Sequence, residues 1–231
     1  TEAVAIRLPA EKFGIMFSGG VDSSTLALIA KKLRGKFICY SVGMDGSKDL
    51  IEAKKVAKKM KFKLHYETLD LAEAEKIIKK AVKIIGEANV VNVGVAAVEI
   101  AVIELAKKDK INTFFGGLGS EEIFAGYQRH ENSKDANQEC WNGLKNMWGR
   151  DLVRDYKVAT STNATFLIPF LDKDLIVETM NIPGKLKISK TEKKIILREI
   201  SLALGLPKQF AYRKKLAAQY GSGFDKAMQK L

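Results

Sequence analysis

Two rhythms of hydrophobic residues alternate along the first half of the chain. Short apolar runs rich in aromatic and β-branched residues occur at 12–17 (KFGIMF), 36–42 (KFICYSV), 62–69 (FKLHYETL) and 112–117 (NTFFGG). Runs of this kind read as strands. Between them lie DSSTLALIAKKL, KDLIEAKKVAKKM, LAEAEKIIKKAVKII and VAAVEIAVIELAKK, whose apolar positions recur with helical periodicity. Strands separated by helices in this order predict βαβ units and a parallel sheet covered on both faces. Beyond residue 127 the pattern changes. QRHENSKDANQE is polar and reads as exposed, and helices are expected at roughly 141–159, 171–181, 190–204 and 223–230. Pro169, Pro183 and Pro207 punctuate this second half. The expected organisation is an α/β part over 1–130, followed by a mostly helical lobe over 131–231 that packs on the carboxyl edge of the sheet. Ligands of parallel sheets bind at that edge.

The charge balance changes this picture little. Net charge is +12, from 39 basic and 27 acidic residues, a field that would attract nucleotides or nucleic acid. Many of the lysines, however, fall in doublets on the helical stretches and are mixed with glutamate (Lys54-Lys55, Lys58-Lys59, Lys79-Lys80), as on solvated helix faces. Cys39 and Cys140 form no CxxC pair, and His65 and His130 are the only histidines. That excludes a zinc ribbon or a disulfide scaffold and fits a reducing compartment. A bound metal would therefore be held by carboxylates, which favours Mg²⁺. No apolar stretch reaches the ~18–20 residues of a membrane span, and TEAVAIRLPAEK at the start lacks an export pattern. A cytoplasmic protein without membrane association is expected.

The densest chemistry is in FGIMFSGGVDSSTLAL. Gly19 and Gly20 let the backbone turn sharply and come close to a ligand. Amides there and in the first turn of the next helix would converge on an anion, with Ser18, Ser23 and Ser24 adding hydroxyl donors. The lysine of a Walker-type loop is absent. Asp22 would repel phosphate unless it held a Mg²⁺ bridging the phosphates. The plainer alternative is that Asp22 or Ser23 caps the helix, but capping does not call for two glycines and three serines around an aspartate.

This stretch resembles the SGGxDS pyrophosphate loop of the ATP pyrophosphatase (PP-loop) superfamily. Four later segments resemble its asparagine synthetase-like branch: YSVGMDGSKDL (40–50), GGLGSEEIFAGY (116–127), IPFLDKDLI (168–176), and KTEKKIILREI followed by YRKKLAAQYGSG (190–223). The resemblance implies an α/β, doubly wound parallel sheet of the adenine nucleotide alpha hydrolase-like (HUP) type with a C-terminal helical lobe. It also implies an ATP-dependent, AMP-forming ligase, with ATP as substrate and Mg²⁺ as cofactor. By the same resemblance, Ser18, Gly19, Gly20, Asp22, Ser23 and Ser24 would form the pyrophosphate loop. Phe17, Val42, Gly116 and Gly117 would surround the adenosine, and Asp22 and Glu121 would share the metals. Lys215 would steady pyrophosphate as a catalytic cation, and Glu87 matches a catalytic glutamate near the acceptor.

Two departures qualify the resemblance. The strand leading into the loop starts near residue 12, so a synthetase part without the family's glutaminase domain is expected, with nitrogen from ammonia or a separate amidotransferase. Thr165 and Leu167 stand where the family has a glutamate and an arginine, and VVNVGVAAVEI (90–100) lacks the arginine and threonine of another family segment. A site for aspartate should offer cations to its carboxylates, so the acceptor is left open between a small molecule and RNA. Two alternatives accompany the amide-ligase reading. One is a tRNA-modifying adenylating enzyme with an amine or sulfur donor; the other is a non-catalytic ATP-binding protein. A homodimer is compatible with all three.

Overall fold

The computed structural model describes residues 1–214 and 216–230. Strands β1 (Phe13–Met16), β2 (Phe37–Met44), β3 (Leu64–Leu69), β4 (Thr113–Phe115) and β5 (Thr165–Leu167) form one sheet in the order β3-β2-β1-β4-β5. Every pairing is parallel. In the first half the helices are α1 (Glu2–Ala5), α2 (Val21–Lys32), α3 (Lys48–Met60), α4 (Leu71–Ile85) and α5 (Val90–Lys107). Then follow α6 (Ser120–Ile123), α7 (Gln128–Glu131), α8 (Ala136–Met147), α9 (Val153–Thr162), α10 (Lys173–Asn181), α11 (Ile195–Ala203), α12 (Lys208–Ala211), α13 (Ala218–Ser222) and α14 (Phe224–Met228). A π-helical turn, Trp148–Leu152, joins α8 to α9.

The strands' alternating side chains divide the core into two layers. Phe13, Ile15, Cys39 and Phe115 pack with α2, α3 and the later residues Phe170, Leu197 and Phe210. On the opposite face, Ile38, Tyr40, Val42 and Phe114 pack with α4, α5, Val158 and Phe224. Both faces are covered, which is why the strands read as continuous apolar runs.

Three sequence expectations are corrected. The lobe expected to be helical contributes β5: Thr165–Leu167 pairs with Thr113–Phe115. Three residues are too few to show a strand period. Helix α5 begins at Val90 instead of 95, because the Asn89 side chain accepts hydrogen bonds from the amides of Val91 (2.9 Å) and Asn92 (3.1 Å). That cap overrides the β preference of the Val-Val pair. The segment 128–139 is not wholly exposed, since His130 is 1% exposed. Its Nδ1 accepts a hydrogen bond from the Tyr127 amide at 3.0 Å.

From β1 the chain winds outward through β2 to β3, then returns through α4 and α5 to β4 on the other side of β1. The strand order reverses between β1 and β4, and the crevice at their carboxyl ends is the expected ligand position. Gly19-Gly20 and Gly116-Gly117 both lie at this end.

Candidate active site

The loop between β1 and α2 is shaped by its glycines. Gly19 has φ +67°, and a Cβ there would lie 2.8 Å from backbone atoms of Glu52 and Ala53 in α3. Only glycine fits this turn without strain. Ser18 Oγ accepts from the Gly20 amide at 3.3 Å, and Ser23 Oγ donates to the Gly20 carbonyl at 3.3 Å. Gly20 is the N-cap residue of α2 and supplies no side-chain cap. Asp22 and Ser23 lie one and two residues inside the helix, so neither is its cap. The hydroxyl of the fully buried Ser24 has no hydrogen-bond partner among the described residues. This N-terminus therefore presents backbone donors toward the crevice.

Asp22 is 2% exposed and takes part in the central ion pair of the site. Lys194 Nζ lies 2.6 Å from Asp22 Oδ1, 2.8 Å from Glu121 Oε1 and 3.1 Å from Ser120 Oγ. Lys194 stands just ahead of α11 with φ 56°, a left-handed conformation that costs a lysine roughly 1–2 kcal/mol. The neighbouring chain has made room for the trio: a Cβ on Gly126 would fall 1.6 Å from Glu121 Oε2 and 2.5 Å from Lys194 Cε. Sequence reasoning assigned Lys194 no role. The available signal was the first lysine of the K-x-x-L-R segment, Lys194 to Arg198.

The C-terminal segment completes the surroundings of the loop. Arg213 Nη2 donates to the Ser18 carbonyl at 3.3 Å and pairs with Asp49 at 3.1 Å. Ser47, which caps α3 by accepting from the Leu50 amide, also donates to the Gly221 carbonyl at 2.9 Å. These contacts pin residues from the end of the chain over the ends of β1 and β2.

Two cavities flank the Asp22–Lys194 pair. The smaller, about 160 Å³, is lined by Phe17, Ser18, Asp22, Ser23, Val42 and Gly117, with α5 closing its far wall. The larger, about 530 Å³, is lined by Glu121, Lys194, Arg198, Arg213 and Lys214 among others. Six of its lining residues are basic and three are acidic, so an anionic ligand is favoured there.

Most of the anticipated ATP-binding residues thus come together, with Gly19, Gly20 and Ser24 shaping the loop beneath them. Gly116 lies at the end of β4, its amide donating to the Leu167 carbonyl at 2.9 Å. Glu87 does not join them: it is exposed between α4 and α5 and accepts from Asn92 Nδ2 at 2.7 Å. The expectation for Lys215 falls on a residue outside the described ones. Both cysteines are fully buried, and burial pushes their thiols up, so neither is poised as a nucleophile.

Among the described residues, no group of three or more His, Cys, Asp or Glu side chains converges on a metal position. Asp22 and Glu121 nevertheless share one cation, the Lys194 ammonium. Two carboxylates at that spacing fit Mg²⁺, which typically takes one or two protein carboxylates and completes its shell with substrate phosphates and water.

A glycine-rich loop feeding an uncapped helix at the switch point of a 3-2-1-4-5 parallel sheet defines an adenine nucleotide alpha hydrolase-like α/β protein. Among solved structures, NMN synthetase from Francisella tularensis shares this fold with a TM-score of 0.54, at 14% identity, over 99% of this chain and 84% of that one. In sequence, the asparagine synthase family profile matches residues 1–134 and 128–231. The chain belongs to the asparagine synthase family. It is 30% identical, over 96% of its length, to a protein of Methanocaldococcus jannaschii named as a glutamine-hydrolyzing asparagine synthetase. It is 28% identical, again over 96% of its length, to one so named from Schizosaccharomyces pombe. The chain spans 48% and 46% of those relatives, about half their length.

Proposed function

We propose that this asparagine synthetase-like ATP-dependent amide ligase domain cleaves ATP between its α and β phosphates. It would adenylate an acceptor carboxylate or amide-like oxygen, release pyrophosphate, and let nitrogen from ammonia or a separate amidotransferase attack the activated acceptor and displace AMP. The observation that carries this reading is the shared position of Asp22 and Glu121 around one buried cation, between an anion-attracting cavity and the nucleotide cavity. When bound there, Mg²⁺ would neutralise phosphate charge and leave the α-phosphorus open to attack. The loop amides and the hydroxyls of Ser18 and Ser23 hold the leaving pyrophosphate in place. Arg213 fixes the loop against Asp49, and Lys194 offers an ammonium to an oxygen that gains charge as the bond breaks. Chemistry of this kind runs on positioning and charge neutralisation and needs no side-chain nucleophile.

The test is an acceptor screen by ATP–[³²P]pyrophosphate exchange, with AMP measured separately. Acceptor-dependent exchange and stoichiometric AMP are expected. ADP as product, or no AMP with any acceptor, would refute the reading. The net charge of +12 supports RNA as an alternative acceptor. In that case affinity falls steeply with salt.

A further inference from the structure

The far wall of the nucleotide cavity carries an acid to which neither the family motifs nor the loop chemistry gives a task. Val95, Val98, Glu99 and Val102 of α5 line it, and among these Glu99 alone is ionisable. Glu99 is 8% exposed; its carboxyl meets that of Asp155 in a hydrogen bond, and no N–H or hydroxyl donor among the described residues reaches its Oε2. A buried carboxyl oxygen that no N–H or hydroxyl donor reaches is costly, so its presence in an otherwise valine-lined wall asks for a ligand.

The charges around Glu99 show what kind of ligand is missing. On α9, Arg154 is bound to Asp155 at 2.6 Å and to Asp151 at 3.4 Å. Asp151 also pairs with Arg150 at 2.6 Å, and Arg150 is shared with the buried Glu122 at 2.5 Å. Glu99 meets Asp155 at the end of this chain, so four carboxyls are served by two guanidiniums, with Arg129 3.9 Å from Glu122 at the margin. Among the described residues lining this cavity there is no lysine or arginine. Its other two acids, Asp22 and Asp49, are paired with Lys194 and Arg213. Burial lifts both Glu99 and Asp155, and the Arg154 guanidinium pulls both back down.

We propose that Glu99 determines acceptor specificity, receiving a protonated amine of an acceptor whose carboxylate is presented to the α-phosphate in the same cavity. The amine arrives protonated, and any proton on the Glu99 carboxyl leaves to solvent as the ion pair forms. Glu99 then becomes the counter-ion that the wall lacks for a cation. This assignment rests on the adenylating reading above and sharpens its acceptor. A monocarboxylate bearing an amine, with an apolar spacer against Val95, Val98 and Val102, fits better than a dicarboxylate such as aspartate. The second carboxylate of aspartate would meet no cation among the described residues of this wall.

The experiment uses linear ω-amino acids from β-alanine to 6-aminohexanoate. Controls are the fatty acids of the same lengths without the amine, and L-aspartate. Mg-ATP binding to the wild-type protein is titrated first, because failure there removes the adenylating reading itself. With ATP binding in hand, binding of each acid to the ATP-loaded protein is measured by calorimetry, and pyrophosphate exchange is measured in parallel. At least one amine-bearing acid is expected to bind about tenfold or more tightly than its amine-free counterpart and than aspartate, as a charge-assisted contact implies. Glu99→Gln, which keeps shape and hydrogen bonding, should erase that preference, and melting curves report whether it folds. Asp155→Asn, a second variant one step removed from the cavity, should weaken the same preference. The proposal is overturned if no amine-bearing acid binds, if amine-free acids bind equally well, or if folded Glu99→Gln keeps the discrimination.

Discussion

Lys194 illustrates how one side chain can hold two carboxylates from distant elements together. Its side chain is 5% exposed and its ammonium neutralises the buried Asp22. Removing one partner of a buried pair leaves the other charged and unsolvated, at a cost of about 3 kcal/mol. Lys194→Met is therefore expected to lose stability of that order in urea unfolding without ligand. The loss should shrink when Mg-ATP is added, because a divalent cation can take over the neutralisation; a deficit unchanged by Mg-ATP would contradict this. His130 provides a pH test at the same scale. Burial, then the neighbouring Arg129 charge, lower its pKa to about 4, while the unfolded chain titrates near 6.5. The unfolded state thus binds a proton that the fold refuses, and stability falls as pH drops from about 6.5 to about 4. In His130→Gln, which can still accept from the Tyr127 amide, that part of the acid destabilisation should disappear from pH-dependent melting curves.

At the scale of elements, the site is a meeting of the β1–α2 loop, the start of α3 and the segment leading into α13. Arg213 is the tie, with one guanidinium nitrogen on both the Ser18 carbonyl and Asp49. Arg213→Ala is expected to raise the KM for ATP about tenfold, the loss expected for a charge-assisted contact. Hydrogen exchange should quicken at residues 18–20 and 217–222, and unaltered exchange there would show that the segment docks without it. How far these elements were legible follows from length and period. α3 and α4 begin and end where the apolar period predicts, helped at α4 by Asp70 and Glu73, which cap it reciprocally. β5 was missed because three residues carry no period. Thr165 and Leu167, noted in the sequence only for the charges they replace, are strand residues bonded to β4.

For the whole molecule, the loop motif was legible because its glycines, serines and aspartate are contiguous. Phe17, Ser18, Asp22, Ser23, Val42 and Gly117 indeed line one cavity. Lys194 and Glu99 were not legible as site residues, since each reaches the site from a distant element: Lys194 lies 172 residues from its partner Asp22. One lysine among many, and one glutamate in an apolar helix, carry no local signal. The parallel sheet brings them to one edge, which sequence order does not reveal. The same geometry makes Asp22 the residue on which the account turns, because it lines the cavity proposed for the nucleotide and faces the cation shared with Glu121. ATP–[³²P]pyrophosphate exchange in Asp22→Asn, with folding checked by melting, tests the account most directly. The account predicts that exchange falls by about a hundredfold or more, as losing charge stabilisation at a phosphoryl centre implies. A folded Asp22→Asn protein that exchanges at the wild-type rate would contradict it.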